Sequence, residues 1–258
     1  MERALAEKDH TLLSVSGLTK RFGGVTAIDS VSFDLQEGRL LGIIGPNGSG
    51  KTTLVNLITG FVKPDSGRVV FQGADITRMS PSKRAHAGIV RTFQMVRPFY
   101  QLPAFKNLVV PLYSPRVKRL AGGKYGDRDA VAKDILEEVG FERDSDVINK
   151  AAKVLPHGYL KRLELGKCLA MRADLVILDE LFSGLSMAEV ASILPIIEKL
   201  RVDGKTIVMI EHRLRELFRI ADKVMVLNFG RKIAEGPPQT VMDSEAVKKA
   251  YLGTETEG

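Results

Sequence analysis

The segment RLLGIIGPNGSGKTTLVNLITG, residues 39–60, constrains the fold of this chain more than any other. Leu40 to Ile44 is a continuous apolar run, as expected of a strand buried on both faces, and the amphipathic run ending at Gly60 reads as a helix. Between and into them run Gly45, Pro46, Asn47, Gly48, Ser49, Gly50, Lys51, Thr52 and Thr53, which match G-x-x-x-x-G-K-[ST] in the strand-to-helix context that motif requires. The residue types follow from the chemistry of holding phosphate. Glycines let backbone N–H groups turn inward around a β-phosphate, and the helix start adds the positive end of its dipole. Lys51 reaches the β/γ oxygens, and the Thr52 hydroxyl ligands Mg²⁺.

The rest of the chain reads as an α/β fold around that unit. LLSVSGLTKRF and VSFDLQEG suit antiparallel strands near the N-terminus, and GRVVFQGADI resembles a further strand pair with a glycine turn. From about Ser80 to Arg172 the pattern is mostly helical, with DAVAKDILEEVG closing on Gly140, so a helical subdomain is expected over roughly 95–172 of a single 258-residue domain. Strands return in DLVILDE, GKTIVMIEH and ADKVMVLNFG, separated by the helical pattern MAEVASILPIIEKLRVDG, and this alternation implies a parallel core.

Two further strand ends carry chemistry. In LVILDE, Asp179 can hold Mg²⁺ through water and Glu180 can polarise an attacking water. Alone, two acids after an apolar run are often a strand end capped by solvated charge; a phosphate loop earlier in the chain favours the functional reading. TIVMIEH ends at Glu211-His212, at the sheet edge where ligands bind in open α/β folds, which favours a γ-phosphate contact for His212. Gln94, in RTFQ, says little as a single uncharged residue.

Composition narrows the classes. The chain is 44% hydrophobic and 27% charged, with no apolar stretch of about 18 residues, so nothing in it spans a bilayer and any membrane role runs through a partner. The start, MERALAEKDHTLLSV, carries three acidic residues and does not read as a secretory signal, which places the protein in the cytoplasm. The single Cys168 excludes an internal disulfide and reads as a small buried apolar residue. A net charge of +7 admits nucleic acid, anionic headgroups or phosphate ligands. The densest basic cluster, Ser114 to Arg128, has no interleaved aromatics for base stacking and reads as a solvated loop, so no nucleic acid is expected.

In the order Phe22, GPNGSGKTT, RTFQ, a helical region, LPHGYLKRLELGKCLA, LVILDE, SGLS and MIEHRL, the chain resembles the ATP-binding subunit of ABC transporters over nearly its whole length. It is most similar to the branched-chain amino-acid (Liv-type) importer ATPases in AGIVRTFQMVRPFYQLPAFKNLVV, IEHRL, AEGPPQTVM and AVKKAYLG. The resemblance implies a P-loop NTPase core with a mixed sheet, an N-terminal antiparallel β subdomain and a helical subdomain insertion. It implies ATP and Mg²⁺ as cofactors, Phe22 stacking on adenine, Gln94 linking Mg²⁺ to the helical subdomain, Asp179 as the metal-holding acid, Glu180 as catalytic base and His212 as the switch histidine. It further implies transmembrane permease subunits, a solute-binding protein in the complete system, and a second ATP-binding subunit whose phosphate loop faces the signature segment of this one. The chain would then sit peripherally on the cytoplasmic face of the membrane.

The family signature, Leu-Ser-Gly-Gly-Gln, is here Leu155-Pro156-His157-Gly158-Tyr159. Proline removes a hydroxyl and an N–H donor; His157, or the pair Lys161-Arg162, would replace the lost donor, or His157 is simply solvated. Gly158 leaves close backbone approach open. Leu181 stands where the family has proline, and SGLS, Ser183 to Ser186, lacks the usual acid; both are expected on the dimer face. These departures serve the site of whichever subunit faces this chain; that subunit is a second copy of this chain or a different ATPase, and the altered signature motivates the pairing with a different one, which would give one stronger and one weaker composite site. The competing readings are a soluble ATPase of the superfamily acting on nucleic acid or ribosomes, and a regulatory subunit that binds ATP without hydrolysing it.

Overall fold

Two sheets divide the strands in a computed structural model that describes residues 10–122, 126–142 and 145–252. The N-terminal reading of residues 1–9 and the final glycine of AVKKAYLG lie outside those residues. The first sheet is antiparallel. Its long hairpin pairs β1 (Thr11–Phe22) with β2 (Val25–Gln36), and the sheet continues through β4 (Ser66–Phe71) and β5 (Ala74–Asp75), in the order β2-β1-β4-β5. This is the antiparallel N-terminal unit expected from the short β-rich runs.

The second sheet has the order β10-β9-β3-β8-β7-β6, built from β3 (Leu40–Ile44), β6 (Ile89–Arg91), β7 (Leu175–Asp179), β8 (Thr206–Ile210), β9 (Lys223–Asn228) and β10 (Arg231–Gly236). The β9, β3, β8, β7 and β6 neighbours run parallel, and β10 is antiparallel to β9. Every residue of β3, β7 and β8 is buried, which explains why these segments are apolar throughout rather than alternating. Register places Ile43 and Asp179 on either side of Ile210. The C-terminal ends of β3, β7 and β8 therefore open side by side, and Gly45, Glu180 and Glu211 leave the sheet at one edge.

Helix α1 (Lys51–Thr59) follows the phosphate loop, and α2 (Pro81–Ala87) starts on a Ser80 cap. Beyond β6 come α3 (Ala104–Leu112), α4 (Pro115–Leu120), α5 (Arg128–Glu138), the 3-10 turns Asp146–Asn149 and Ala152–Val154, and α6 (His157–Ala170). Leu108, Leu136 and Leu163, one from each of α3, α5 and α6, are fully buried in a common core. The remaining helices are α7 (Met187–Val202), α8 (Leu214–Ile220), α9 (Pro238–Met242) and α10 (Glu245–Leu252).

One expectation is refined here and one corrected. The stretch from Ser80 to Arg172 is mostly helical as expected but also holds β6, which pairs in parallel with β7 through Ile89↔Leu175 and Arg91↔Ile177. Three residues are too few to show a period, and pairing with β7 is what makes them a strand. The basic stretch from Ser114 to Arg128, of which 123–125 are not described, is not simply a solvated loop either. It contains α4, and Arg116 is buried, donating to the carbonyls of Ala87 and Arg172 and to Asp174 Oδ2 at 2.8 Å. Cys168 is buried as expected, and burial pushes its thiol up to about 12, well away from a reactive thiolate.

A second arginine ties α2 to the end of α1 and to the loop after β5. Arg84 is 1% exposed, and its guanidinium donates to Leu57 O at 2.7 Å and Ile58 O at 2.6 Å, carbonyls left without helical partners at the end of α1. The same group donates to Thr77 O and Met79 O. A positive group at a helix C-terminus also complements the dipole.

Candidate functional site

The phosphate loop is shaped by what lies behind it. Gly45 has φ 152°, and a Cβ there would lie 2.2 Å from Leu227 O; Gly50 has φ 103°, and its Cβ would meet Ala27 O at 2.5 Å. Only glycine fits either position. The β9–β10 turn clamps the loop from outside, with Gly230 N–H donating to Ser49 O and Asp29 N–H donating to Gly230 O. Lys51 curls back across the loop, its ammonium donating to Gly45 O at 2.8 Å and Pro46 O at 2.9 Å. Burial lowers its pKa, while Glu180 and Asp179 pull it back up. Ser49 Oγ is buried with no hydrogen-bond partner, and it joins Asn47, Gly48, Thr52 and Thr53 around a cavity of about 330 Å³ that Glu180 also lines. An orphaned hydroxyl and an ammonium at a helix start form an anion site that fits phosphate.

Glu180 lies at the far wall of that cavity. Its φ of 50° is unusual for a residue with a side chain and aims it across the strand ends. One carboxylate oxygen accepts from Gln94 Nε2 at 2.7 Å, and the other lies 3.2 Å from His212 Nε2. The three residues picked from separate segments of the sequence therefore converge on one carboxylate. Asp179, next in the chain, is 3% exposed and its Oδ2 accepts from Arg91 Nη2 at 2.8 Å. Burial raises its pKa, and Arg91 acts against that shift. Gln94 thus contacts Glu180 rather than Asp179.

Lys161, the buried member of the Lys161-Arg162 pair, does not face a partner. It is 1% exposed, and its ammonium donates to Gln94 O at 3.1 Å and Glu180 O at 3.3 Å, fixing the backbone of this chain's own site. Arg162 donates to Gly140 O and to Ser192 Oγ, so it too is engaged internally. Burial of the apolar stem turned α6 so that Lys161 points inward, a rotation the sequence pattern alone does not specify.

The signature segment lies apart from this cavity. Gly158 opens α6 and is buried under Glu189 of α7; a Cβ there would lie 2.6 Å from Glu189 Oε1. Hydrogen bonds from the Ser186 backbone and side chain hold the Glu189 carboxyl below the usual carboxylate range, with smaller contributions from His157 and the Gly158 amide. His157 is exposed, with Nε2 3.4 Å from Ser183 O, and Tyr159 packs edge-on to Phe141 at 4.9 Å. Leu181 is 1% exposed and belongs to the core, which corrects its placement on a dimer face; the step after Glu180 turns inward to bury Leu181 and Phe182. Ser183, Gly184 and Ser186 are exposed.

Phe22 pairs across the hairpin with Val25, and Val25 lines the cavity mouth. Phe22 itself is 49% exposed and carries the Lys20 ammonium 5.4 Å from its ring centroid. Phe229, passed over in the sequence, lines the same cavity and is 85% exposed at φ 45°. The signal was present as an aromatic residue in the turn NFGR directly after a buried strand, where a polar residue is the usual choice.

Glu211 gives the site a pH dependence. It is 3% exposed and accepts from Phe182 N–H at 2.8 Å, and burial raises its pKa to about 7 from an ordinary value of 4.5. Between those values the folded state binds more protons than the unfolded, so stability falls as pH rises through that window and is lowest above it. Denaturant unfolding at pH 5 and pH 8 is expected to show that loss, on the order of 3 kcal/mol or less. Glu211→Gln, which keeps an acceptor for Phe182, is expected to flatten the curve; an equal slope in both proteins would assign it elsewhere.

Comparison with known proteins agrees with this geometry. Residues 28–183 match the ABC transporter family, and residues 231–257 match the C-terminal family described as branched-chain amino acid ATP-binding cassette transporter. The chain is 36% identical to the high-affinity branched-chain amino acid transport ATP-binding protein BraF of Pseudomonas aeruginosa, over 94% of this chain and 98% of that protein. It is 35% identical to LivG of Salmonella typhimurium over the same shares. In structure it is similar to the ADP conformation of MJ1267, an ATP-binding cassette of an ABC transporter, with a TM-score of 0.82 at 33% identity, covering 95% of this chain and 99% of that one. A loop built for phosphate, an acid held at its mouth and a match across the whole cassette lead to one conclusion: this chain belongs to the ABC transporter ATP-binding family and is an ATPase.

Proposed function

We propose that the chain is the ATP-hydrolysing subunit of a membrane importer for branched-chain or related amino acids, working peripherally at the cytoplasmic face. The observation that carries the hydrolytic role is Glu180, held between Gln94 and His212 at the mouth of the phosphate-loop cavity. In this reading Lys51 and the loop amides hold the phosphates, Phe22 stacks on adenine, Glu180 takes the proton of the attacking water and His212 steadies the γ-phosphate. The substrate class rests on the match over residues 231–257 and on the printed roles of the relatives.

Mg²⁺ is the metal we assign. Thr52 offers a hydroxyl, Asp179 a carboxylate and Gln94 an amide oxygen, a hard-oxygen set suited to that ion. Among the described residues no group of three His, Cys, Asp or Glu gathers to hold a metal, so the ion would draw its other ligands from phosphate and water. It would neutralise charge on the β and γ oxygens, while the protein's groups orient the nucleotide and the water.

No helix among the described residues is long and apolar enough to cross a membrane, so transport requires separate permease subunits. Residues 95–172 form the subdomain we assign to meeting them, over a groove of about 430 Å³ walled by Phe61, Phe93, Val110 and Pro111. The second ATP-binding subunit is the partner for the altered signature, His157 and Gly158. Isolating tagged chain from detergent-solubilised membranes is expected to bring permease subunits and a different ATPase. A stable ATP-dependent homodimer of Glu180→Gln would sink the unequal pairing, and recovery of ribosomal or nucleic-acid partners alone would sink the transport role.

A further inference from the structure

Arg91 touches both the groove and the catalytic edge. Its guanidinium donates to Asp179 Oδ2 at 2.8 Å and to Asn56 Oδ1 of α1 at 2.6 Å, with side-chain exposure of 9% for Arg91 and 4% for Asp179. The central carbon of the same group lies 4.7 Å from the Phe93 ring centroid and 5.6 Å from that of Phe61. Those rings pack edge to face at 5.9 Å and 82°, and both wall the 430 Å³ groove. Phe61 is 54% exposed.

We infer that Arg91 is a positioning residue that links the occupant of the Phe61–Phe93 groove to the carboxylate of Asp179. The inference rests on the metal and permease assignments above and adds a route between them. Asp179 is buried, so its orientation depends on a fixed cation beside it; Arg91 is planar, and the two ends of its fork, Nη2 and Nη1, are committed to Asp179 and to Asn56 of α1. A helix entering the groove presses on Phe61 and Phe93 because they are its wall. Their faces hold the guanidinium by cation–π attraction, so repacking them shifts the fork, and Oδ2 of Asp179 moves with it. Gln94 approaches Glu180 by a different path, leaving Arg91 as the contact to the metal-holding acid.

The test reads metal binding rather than turnover. Mn²⁺ binding to the full chain with saturating ADP is followed by electron paramagnetic resonance, and metal-free ADP binding in EDTA serves as control. Arg91→Gln is expected to weaken Mn²⁺ binding about tenfold while metal-free ADP affinity stays within about twofold, on the scale of a lost supporting contact at a metal site. Arg91→Lys, which keeps charge without the fork, is expected to recover part of the loss. The pair Phe61→Ala, Phe93→Ala is expected to weaken Mn²⁺ severalfold in the presence of Arg91 and to add nothing in the Arg91→Gln background. Unchanged Mn²⁺ affinity in both Arg91 variants overturns the positioning role, and independent effects of the rings and Arg91 overturn the link to the groove. The ring variants and Arg91→Lys keep the test open if Arg91→Gln fails to fold. Asp179→Asn separates the two levels: if it too leaves Mn²⁺ binding unchanged, the metal assignment falls and this inference with it.

Discussion

Glu180→Gln is expected to lower ATP turnover by about 10²- to 10³-fold while leaving ATP binding within a few fold of wild type. The substitution keeps the size of the side chain and its hydrogen bond with Gln94 or His212, but it removes the lone pair that accepts a proton from water. In the roles we propose, nucleotide affinity is set by Lys51, the loop amides and Thr52, and the Lys51 ammonium bonds to Gly45 O and Pro46 O rather than to Glu180. Turnover by phosphate release and binding by fluorescent ATP analogue together make the measurement. Wild-type turnover in Glu180→Gln would show that the water is activated by another group, and loss of binding in parallel with turnover would make Glu180 a structural support of the loop. His212→Ala is expected to lower turnover in the same direction with binding kept, because the His212 ring lies against Glu180 and is not among the residues lining the phosphate-loop cavity.

The largest effect on stability is expected at Arg84, outside the catalytic edge. Arg84→Met keeps the apolar stem and removes donors to Leu57, Ile58, Thr77 and Met79 carbonyls. Charge-assisted hydrogen bonds contribute about 1.5–3 kcal/mol each in favourable cases, and buried carbonyls left unpaired cost about 1–3 kcal/mol. Burying the guanidinium is itself expensive, which is why its pKa falls to about 10, so the net loss is smaller than the sum. A loss of about 3 kcal/mol or more is expected, read as a lower denaturant midpoint at unchanged slope. The second consequence is local: fraying at the end of α1 loosens the helix whose start we assign to holding the phosphates, so ADP affinity is expected to fall too. A midpoint within about 0.5 kcal/mol of wild type would show that water replaces the guanidinium at those carbonyls.

Much of the catalytic edge was legible because its residues sit at the ends of strands the sequence displays. The apolar runs before Gly45, Asp179 and Glu211 have no polar face to spare, so each had to be buried on both sides and to open at one common edge. The phosphate loop was equally plain, since Gly45 and Gly50 are demanded by φ values and close contacts that no other residue meets. Gln94 was different. Nothing local distinguishes it, and only the resemblance to a family marked it, yet it lands 2.7 Å from Glu180.

The failures share a cause. β6, three residues long, exists because β7 offers it hydrogen-bonding partners, and a period cannot be read from Ile-Val-Arg. Lys161, Arg162 and Leu181 were assigned to an outer face by their neighbours in sequence, and the rotation of α6 and the inward step after Glu180 turned them toward the chain's own interior. Arg84, Arg91 and Arg116 look in sequence like ordinary surface charge, but each is surrounded by acceptors that come from distant segments. By itself the sequence determined the strand–loop–helix unit, the parallel core and the acids that close it, because backbone conformation and two-sided burial leave local marks. The tertiary structure alone decided which cations turn inward, which carbonyls they satisfy and that Glu189 covers Gly158, because those depend on helix rotation and on pairings between distant segments, such as Arg91 and Asp179, 88 residues apart.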